Sequence, residues 1–284
     1  MRLAEPPFDA AVDNGWHAEL ALEYARRGPR SVLATRRHNG PLVVQKPLYP
    51  EGDAVCHNIL VHPPAGIAGG DHLEIHARVG ENAHALLTTP GAGKWYRSAG
   101  PWAQQHIRFE LQAGAILEWL PQETIVYDGA LAKLTNMIEL AAGAHYIGWE
   151  ILCLGRTGSG ERFTRGACHL STRLSRAGRP LWLERGQLAA GGPLSQSKAG
   201  LGSKPVCATL IATLNAASPD LLPACRSVVA DDSNTSVTQL PGLLVARFLG
   251  ASSEAAKHYF TALWSHWRAA VIGRAAVQPR IWRT

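Results

Sequence analysis

Asp71–Gly80, DHLEIHARVG, decides the architecture. Leu73, Ile75, Ala77 and Val79 fall on one side of a period-two pattern, and His72, Glu74, His76 and Arg78 on the other. A strand with one face in a core and the other in water requires that alternation. Gln105–Gln112 repeats it, with Ile107, Phe109 and Leu111 opposed to His106, Arg108 and Glu110. Val55–Val61 and Leu134–Leu140 are further strands, and turn signals separate these runs about every ten residues. Residues 15–190 therefore read as β-rich.

A faint repeat says how the strands are arranged. Asn82-Ala83-His84-Ala85, Gly114-Ala115-Ile116-Leu117 and Gly143-Ala144-His145-Tyr146 each place a small pair before a strand-like run, 32 and then 29 residues apart. A spacing of about 30 suits one coil of a stacked solenoid or strand pairs repeating across two sheets. The expected fold is mainly β, a layered, solenoid-like elongated structure, not a closed barrel.

Residues 203–284 read as mixed α/β, with two helices. Gly191–Gly202 is a Gly- and Ser-rich loop or linker. Asp220 is placed to cap a short helix carrying Cys225, Val228 and Val229. Asp231–Ser236 reads as a polar loop, and Leu243–Leu249 as a buried strand. Ser253–Ile272 is the clearest helix, with Ala256, Tyr259, Phe260, Leu263, Trp267, Ala270 and Val271 in one apolar stripe. Glu254 lies in its first turn, Arg268 and Arg274 near its end, and Gly273 supplies a C-cap.

The 284 residues suffice for a large core, and 46% hydrophobic with 18% charged residues is a globular composition. Lys and Arg number 28 against 22 acids, a net charge of +6. The excess favours an acidic partner, but it forms no blocks and gives no basis for expecting nucleic acid. Five scattered Cys without a C-x-x-C pair speak against a disulfide scaffold and a zinc site, and for a reducing compartment. The first sixteen residues carry no apolar signal-peptide core, and no apolar run is long enough to span a membrane. A cytoplasmic location is expected, with no membrane partner.

Leu86–Ser98, LLTTPGAGKWYRS, runs from strand-forming residues through a Pro-Gly bend into Lys94, Trp95, Tyr96 and Arg97. Gly91–Lys94 imitates a phosphate loop, and a nucleotide-binding enzyme is one reading of it. The pattern fails at Thr88, where Gly is needed, and at Trp95, where Ser or Thr is needed. His62-Pro-Pro-Ala-Gly-Ile-Ala-Gly-Gly-Asp71 is a rigid loop that can bring His62 and Asp71 together. The alternative is a wide turn in which Asp71 caps the loop's own amides. Glu118 shares a strand face with Ile116 and Leu120, so its carboxylate is either at a sheet edge or paired, with Lys94 and Arg97 as candidate partners. Glu118, Glu123 and Asp128 can also be read as the acids of a β-solenoid hydrolase. Of the twelve His, His57, His62, His72 and His76 are the most noticeable, and most read as surface residues. His72 and His76, about 13 Å apart at 3.3 Å per residue, are too distant to share one metal ion.

Taken together, the chain resembles the urease accessory protein UreD (UreH) family. The resemblance rests on the His62–Asp71 loop, Leu87-Thr88-Thr89, Lys94-Trp-Tyr-Arg-Ser98, Leu117-Glu-Trp-Leu-Pro-Gln-Glu-Thr-Ile125, Gly148-Trp-Glu-Ile151, Leu154-Gly-Arg-Thr-Gly, Gly160-Glu-Arg-Phe163 and Pro279-Arg-Ile-Trp282. It implies one domain over residues 1–284 and Gly66, Gly69, Gly70, Thr88, Thr89, Lys94, Tyr96 and Arg97 as motif residues. Family members often carry Ala-Ala-Thr-Lys where this chain has Gly91-Ala-Gly-Lys94, which removes any role for a hydroxyl at Gly93. The resemblance further implies a non-enzymatic maturation factor. It would bind apo-urease and UreF, reach the GTPase UreG through UreF, and pass nickel onward transiently with no tightly bound cofactor. Asp71, Glu118, Glu123, Glu150 and His62 are the candidates to line that route, with Lys94 and Arg97 as counter-ions.

Overall fold

The alternating stretch forms the strand His72–Val79, whose Leu73, Ile75, Ala77 and Val79 are buried. In the structure, a computed structural model that describes residues 15–214, 218–230 and 233–283, it is the second of five parallel strands, with His17–Arg27 along one edge of it. Ala103–Leu111, Leu131–Leu140 and Ala167–Arg176 follow it side by side. A second sheet holds Cys56–Val61, His84–Thr88, Ile116–Trp119 and His145–Leu154, also parallel. The chain shuttles between the two sheets, as one coil after another of a solenoid.

The repeated motif is the corner of each coil. Asn82, Gly114 and Gly143 all have φ between 55° and 70°, the left-handed turn that glycine and asparagine accept at least cost. Ala83, Ala115 and Ala144 follow, fully buried because the corner leaves room only for a methyl group. Corners stack through hydrogen bonds from Ile116 N to Ala83 O and from His145 N to Ala115 O.

Antiparallel pairs complete both sheets. The first ends on one side in the hairpin His17–Arg27 with Arg30–Asn39, and on the other in Arg179–Ala189. The second is extended by Val206–Thr213, Leu243–Gly250 and the edge strand Asn234–Leu240. This last strand replaces part of the expected polar loop; Asp231 and Asp232 lie outside the described residues.

The helix Ser253–Ile272 packs on the outside of the second sheet, against the strands His145–Leu154, Val206–Thr213 and Leu243–Gly250. Ser252 caps it by accepting a hydrogen bond from Ala255 N, and Gly273 closes it with φ of 72°. Its buried face differs from the expected stripe: Trp264 and Arg268 are buried and Ala270 is exposed. Burying Phe260, Leu263 and the Trp rings stabilises the contact by roughly 1.5–3 kcal/mol per side chain. One apolar core thus lies between the sheets, and another between the second sheet and the helix.

Three helices are present among the described residues where two were expected, because Pro193–Gln196 forms a single turn within the Gly- and Ser-rich segment. The short helix Leu221–Arg226 forms, but the Asp220 side chain makes no capping bond. No helix among the described residues is long and apolar enough to cross a membrane.

Candidate functional site

Most inward positions of both sheets are aliphatic or aromatic, so the polar ones stand out. Gln105, Asn136 and Thr172 occupy inward positions on successive strands of the first sheet, where Ile107, Ile138 and Leu174 are their apolar neighbours. Glu184, on the flanking strand, pairs in register with Thr172. Facing them from the second sheet is Glu150. Its strand alternates so that Ile147, Trp149 and Ile151 point to the helix while Tyr146, Glu150 and Leu152 point between the sheets.

Three interior cavities meet at Glu150. The largest, about 360 Å³, runs from His62 and Lys94 past Gln105 and Gln122 to Glu150. A second of about 220 Å³ continues from Glu150 past Thr172 and Cys207 to Glu184 and Arg247. The third, about 30 Å³, lies beside Asn136 and Thr209. The result is a polar seam through an apolar layer. At its far end Arg247 is partly exposed, donating to Glu184 Oε1 at 2.5 Å and to Thr209 Oγ1 at 2.6 Å.

Burial raises the proton affinity of Glu150 above the ordinary carboxylate value, and the nearby charge of Glu184 adds to it, against the hydrogen bond from Asn136. Asn136 Nδ2 donates to Glu150 Oε1 at 2.8 Å and approaches Thr172 Oγ1 at 3.3 Å, while Asn136 Oδ1 is buried with no hydrogen-bond partner. Burial pushes the Cys207 thiol up to about 12, so it stays protonated at neutral pH. At the near mouth burial lowers His62, with the Asp71 charge opposing, which favours a neutral imidazole.

The other candidates sit elsewhere. Asp71 caps its own loop: Oδ2 accepts from Ala68 N at 2.8 Å and Oδ1 from Trp16 N at 2.9 Å. The tight loop requires its glycines, since a Cβ on Gly66 would stand 2.1 Å from the Tyr96 ring and Gly70 has φ of 96°. Glu123 is half-buried and lines none of these three cavities. Asp128 is clamped by Arg165 and Thr164, which hold it well below the usual carboxylate range.

Glu118 is fully buried and faces the helix, not the passage. Its expected partners Lys94 and Arg97 are replaced by His84 at 2.7 Å, Trp264 Nε1 at 2.7 Å and Arg268 Nε at 3.0 Å. Arg268 also donates through Nη2 to both oxygens of Glu51, at 2.7 and 2.8 Å, and Glu51 in turn holds His57 at 2.6 Å. His57 and His84 are therefore core residues, not surface ones. Among the described residues no ion pair joins Lys94 or Arg97 to Asp71, Glu118, Glu123 or Glu150. Thr88 Oγ1 donates to Leu120 O and accepts from Trp282 Nε1, while Thr89 Oγ1 accepts from Gln122 N. Gly91–Lys94 leads into the strand Gly93–Trp95, so no helix N-terminus faces it.

Comparison with known proteins bears on this arrangement. A model of the family described as UreD urease accessory protein matches residues 17–283. The chain is 54% identical to the urease accessory protein UreD of Dechloromonas aromatica, over 95% of both chains. It is also 54% identical to that of Azoarcus sp., over 96% of both. The counterpart from Methylobacillus flagellatus is 46% identical over 97% of both chains. On its sequence, over nearly its whole length, this chain belongs to the UreD urease accessory protein family.

Proposed function

We propose that this protein is a urease maturation factor that assembles with apo-urease and UreF, joins UreG through UreF, and conducts nickel between its two sheets. The family assignment supports the role in urease maturation. One observation carries the finer reading: three cavities converge on a single buried carboxylate, Glu150, inside an otherwise apolar layer. A carboxylate, an amide oxygen and hydroxyls are hard donors, which a divalent ion of intermediate softness accepts only weakly. Such groups hold an ion loosely enough to release it, whereas a thiolate would retain it; Cys207 is kept as a thiol.

Of the candidates, Glu150 takes the midpoint of the route and His62 its entrance. Asp71 and Glu118 serve it indirectly, one by shaping the entrance loop and the other by fixing the helix that backs the second sheet. Lys94, at the entrance and with no acidic partner among the described residues, would disfavour a stationary cation there. No chemistry on a substrate is required of this chain in that role; Glu118 is tied to the helix, Asp128 to Arg165, and Gly91–Lys94 leads into a strand, which favours this reading over the hydrolase and nucleotide-binding ones.

The test is co-purification with apo-urease and UreF, followed by nickel-dependent activation with and without this protein. Activation should depend on it, and Glu150→Ala should retain assembly while lowering the activated fraction at least tenfold. Unchanged activation by Glu150→Ala would defeat the assignment of the route, and activation without this protein would defeat the maturation role itself.

A further inference from the structure

Outside the passage, the exposed face of the first sheet carries an H-x-E pattern twice, as His17-Ala18-Glu19 and His72-Leu73-Glu74. The two strands are adjacent, parallel and in register, so that His17 pairs with His72 and Glu19 with Glu74. Residues two apart share a strand face, so the four side chains lie side by side on it. His17 Nε2 lies 3.3 Å from Glu19 Oε1 and 3.9 Å from Glu74 Oε1, and His72 Nε2 lies 3.3 Å from Glu74 Oε1. Ligand atoms of His17, Glu19 and Glu74 all lie within 4.8 Å of one another.

We propose that this cluster is a surface site for a divalent transition-metal ion, taking one imidazole nitrogen from His17 and carboxylate oxygens from Glu19 and Glu74, with water completing the shell. Ligands at 2.0–2.1 Å around a tetrahedral ion stand about 3.4 Å apart; His17 Nε2 stands 3.3 and 3.9 Å from the two carboxylates, and rotation of these exposed side chains closes them on the ion. Mixed imidazole and carboxylate donors select Zn²⁺ or Ni²⁺ over Mg²⁺ or Ca²⁺, which require oxygen ligands throughout. A further observation supports the His17 ligand: its imidazole stacks on that of His72 at 5.1 Å, which fixes the ring plane before any ion arrives, while His72, nearly parallel to it, flanks the site as a neighbour and not as a ligand. The site is separate from the passage, because its residues point away from the cavities on the opposite face of the sheet.

Calorimetric titration of the full-length, untagged protein with Zn²⁺ or Ni²⁺ tests this. One equivalent should bind at the surface site, weakening at least tenfold in His17→Ala and in Glu74→Gln and vanishing in the double variant. The same equivalent should persist in Glu150→Gln, which distinguishes it from binding inside the molecule. All four residues are at least one-third exposed, so folding should survive, and circular dichroism checks that it does. Wild-type affinity and stoichiometry in the double variant, or no binding of either ion by the wild-type protein at millimolar concentration, would overturn the proposal.

Discussion

At the scale of single residues, Arg268 is the clearest case of a charge held by its surroundings. Its guanidinium is fully buried and bridges two carboxylates, Glu118 and Glu51. Arg268→Met should cost about 3–5 kcal/mol in chemical denaturation, because it removes the buried cation that Glu118 and Glu51 share and leaves them only His84, Trp264, His57 and the more distant Arg274. Simultaneous replacement of Glu118 and Arg268 by apolar residues should recover part of that loss. The glycines offer a second contrast. Gly66→Ala drives a methyl group into the Tyr96 ring and should destabilise by roughly 1–3 kcal/mol. Gly93→Ala meets nothing within 4 Å and should leave the thermal midpoint unchanged, consistent with a side chain being tolerable there. Lys94 and Arg97 were the cations expected to pair with Glu118, from a motif a little over twenty residues upstream. The true partner lies 150 residues away, a separation that no spacing rule can reach.

At the scale of elements, the strands of the first sheet and the long helix were legible because each has one buried and one wet face, whereas strands such as Cys56–Val61 are buried on both faces and showed only as short apolar runs. The expected limits of the helix, Ser253 and Ile272, are the observed ones, since its Ser and Gly caps are local signals. Its buried face was read one position too narrowly: Trp264 and Arg268 fall on it, and a charged residue was assigned to the helix dipole when it belonged to the core. The same helix predicts a pH response. Burial raises Glu118 and Glu51, but hydrogen bonds and charges from His84, His57 and Arg268 outweigh it and hold both below the ordinary value of 4.5. Their stabilisation is therefore complete above that value and is lost as pH falls through the lowered folded-state values. Near-ultraviolet dichroism of the Trp149, Trp264 and Trp282 cluster should weaken as the pH drops below about 4.5, before the parallel coils lose their far-ultraviolet signal. A single concerted transition at both wavelengths would contradict a separate helix response.

At the scale of the whole molecule, the repeat at 32 and 29 residues gave the layered architecture, since each coil returns to the same corner. The interior route was only partly legible. Glu150 stood among the candidates, but through the family resemblance, and the signals that mark its neighbours went unread. Asn136 interrupts the apolar series Leu134, Ile138 and Leu140, and Gln105 precedes Ile107 on an inward face. A polar residue at an inward strand position is a local signal; that three such residues meet one glutamate depends on strand order and register, which sequence does not display.

The central claim is that nickel travels between the sheets, and filling that space tests it most directly. Gln105→Trp places an indole in the cavity of about 360 Å³ without altering Glu150 or the outer faces. Its thermal midpoint and its capture of apo-urease and UreF should match the wild-type protein. Metal analysis of the urease matured with it should then show at least a tenfold loss of bound nickel. Wild-type nickel loading through a folded, fully assembled Gln105→Trp variant would contradict passage between the sheets.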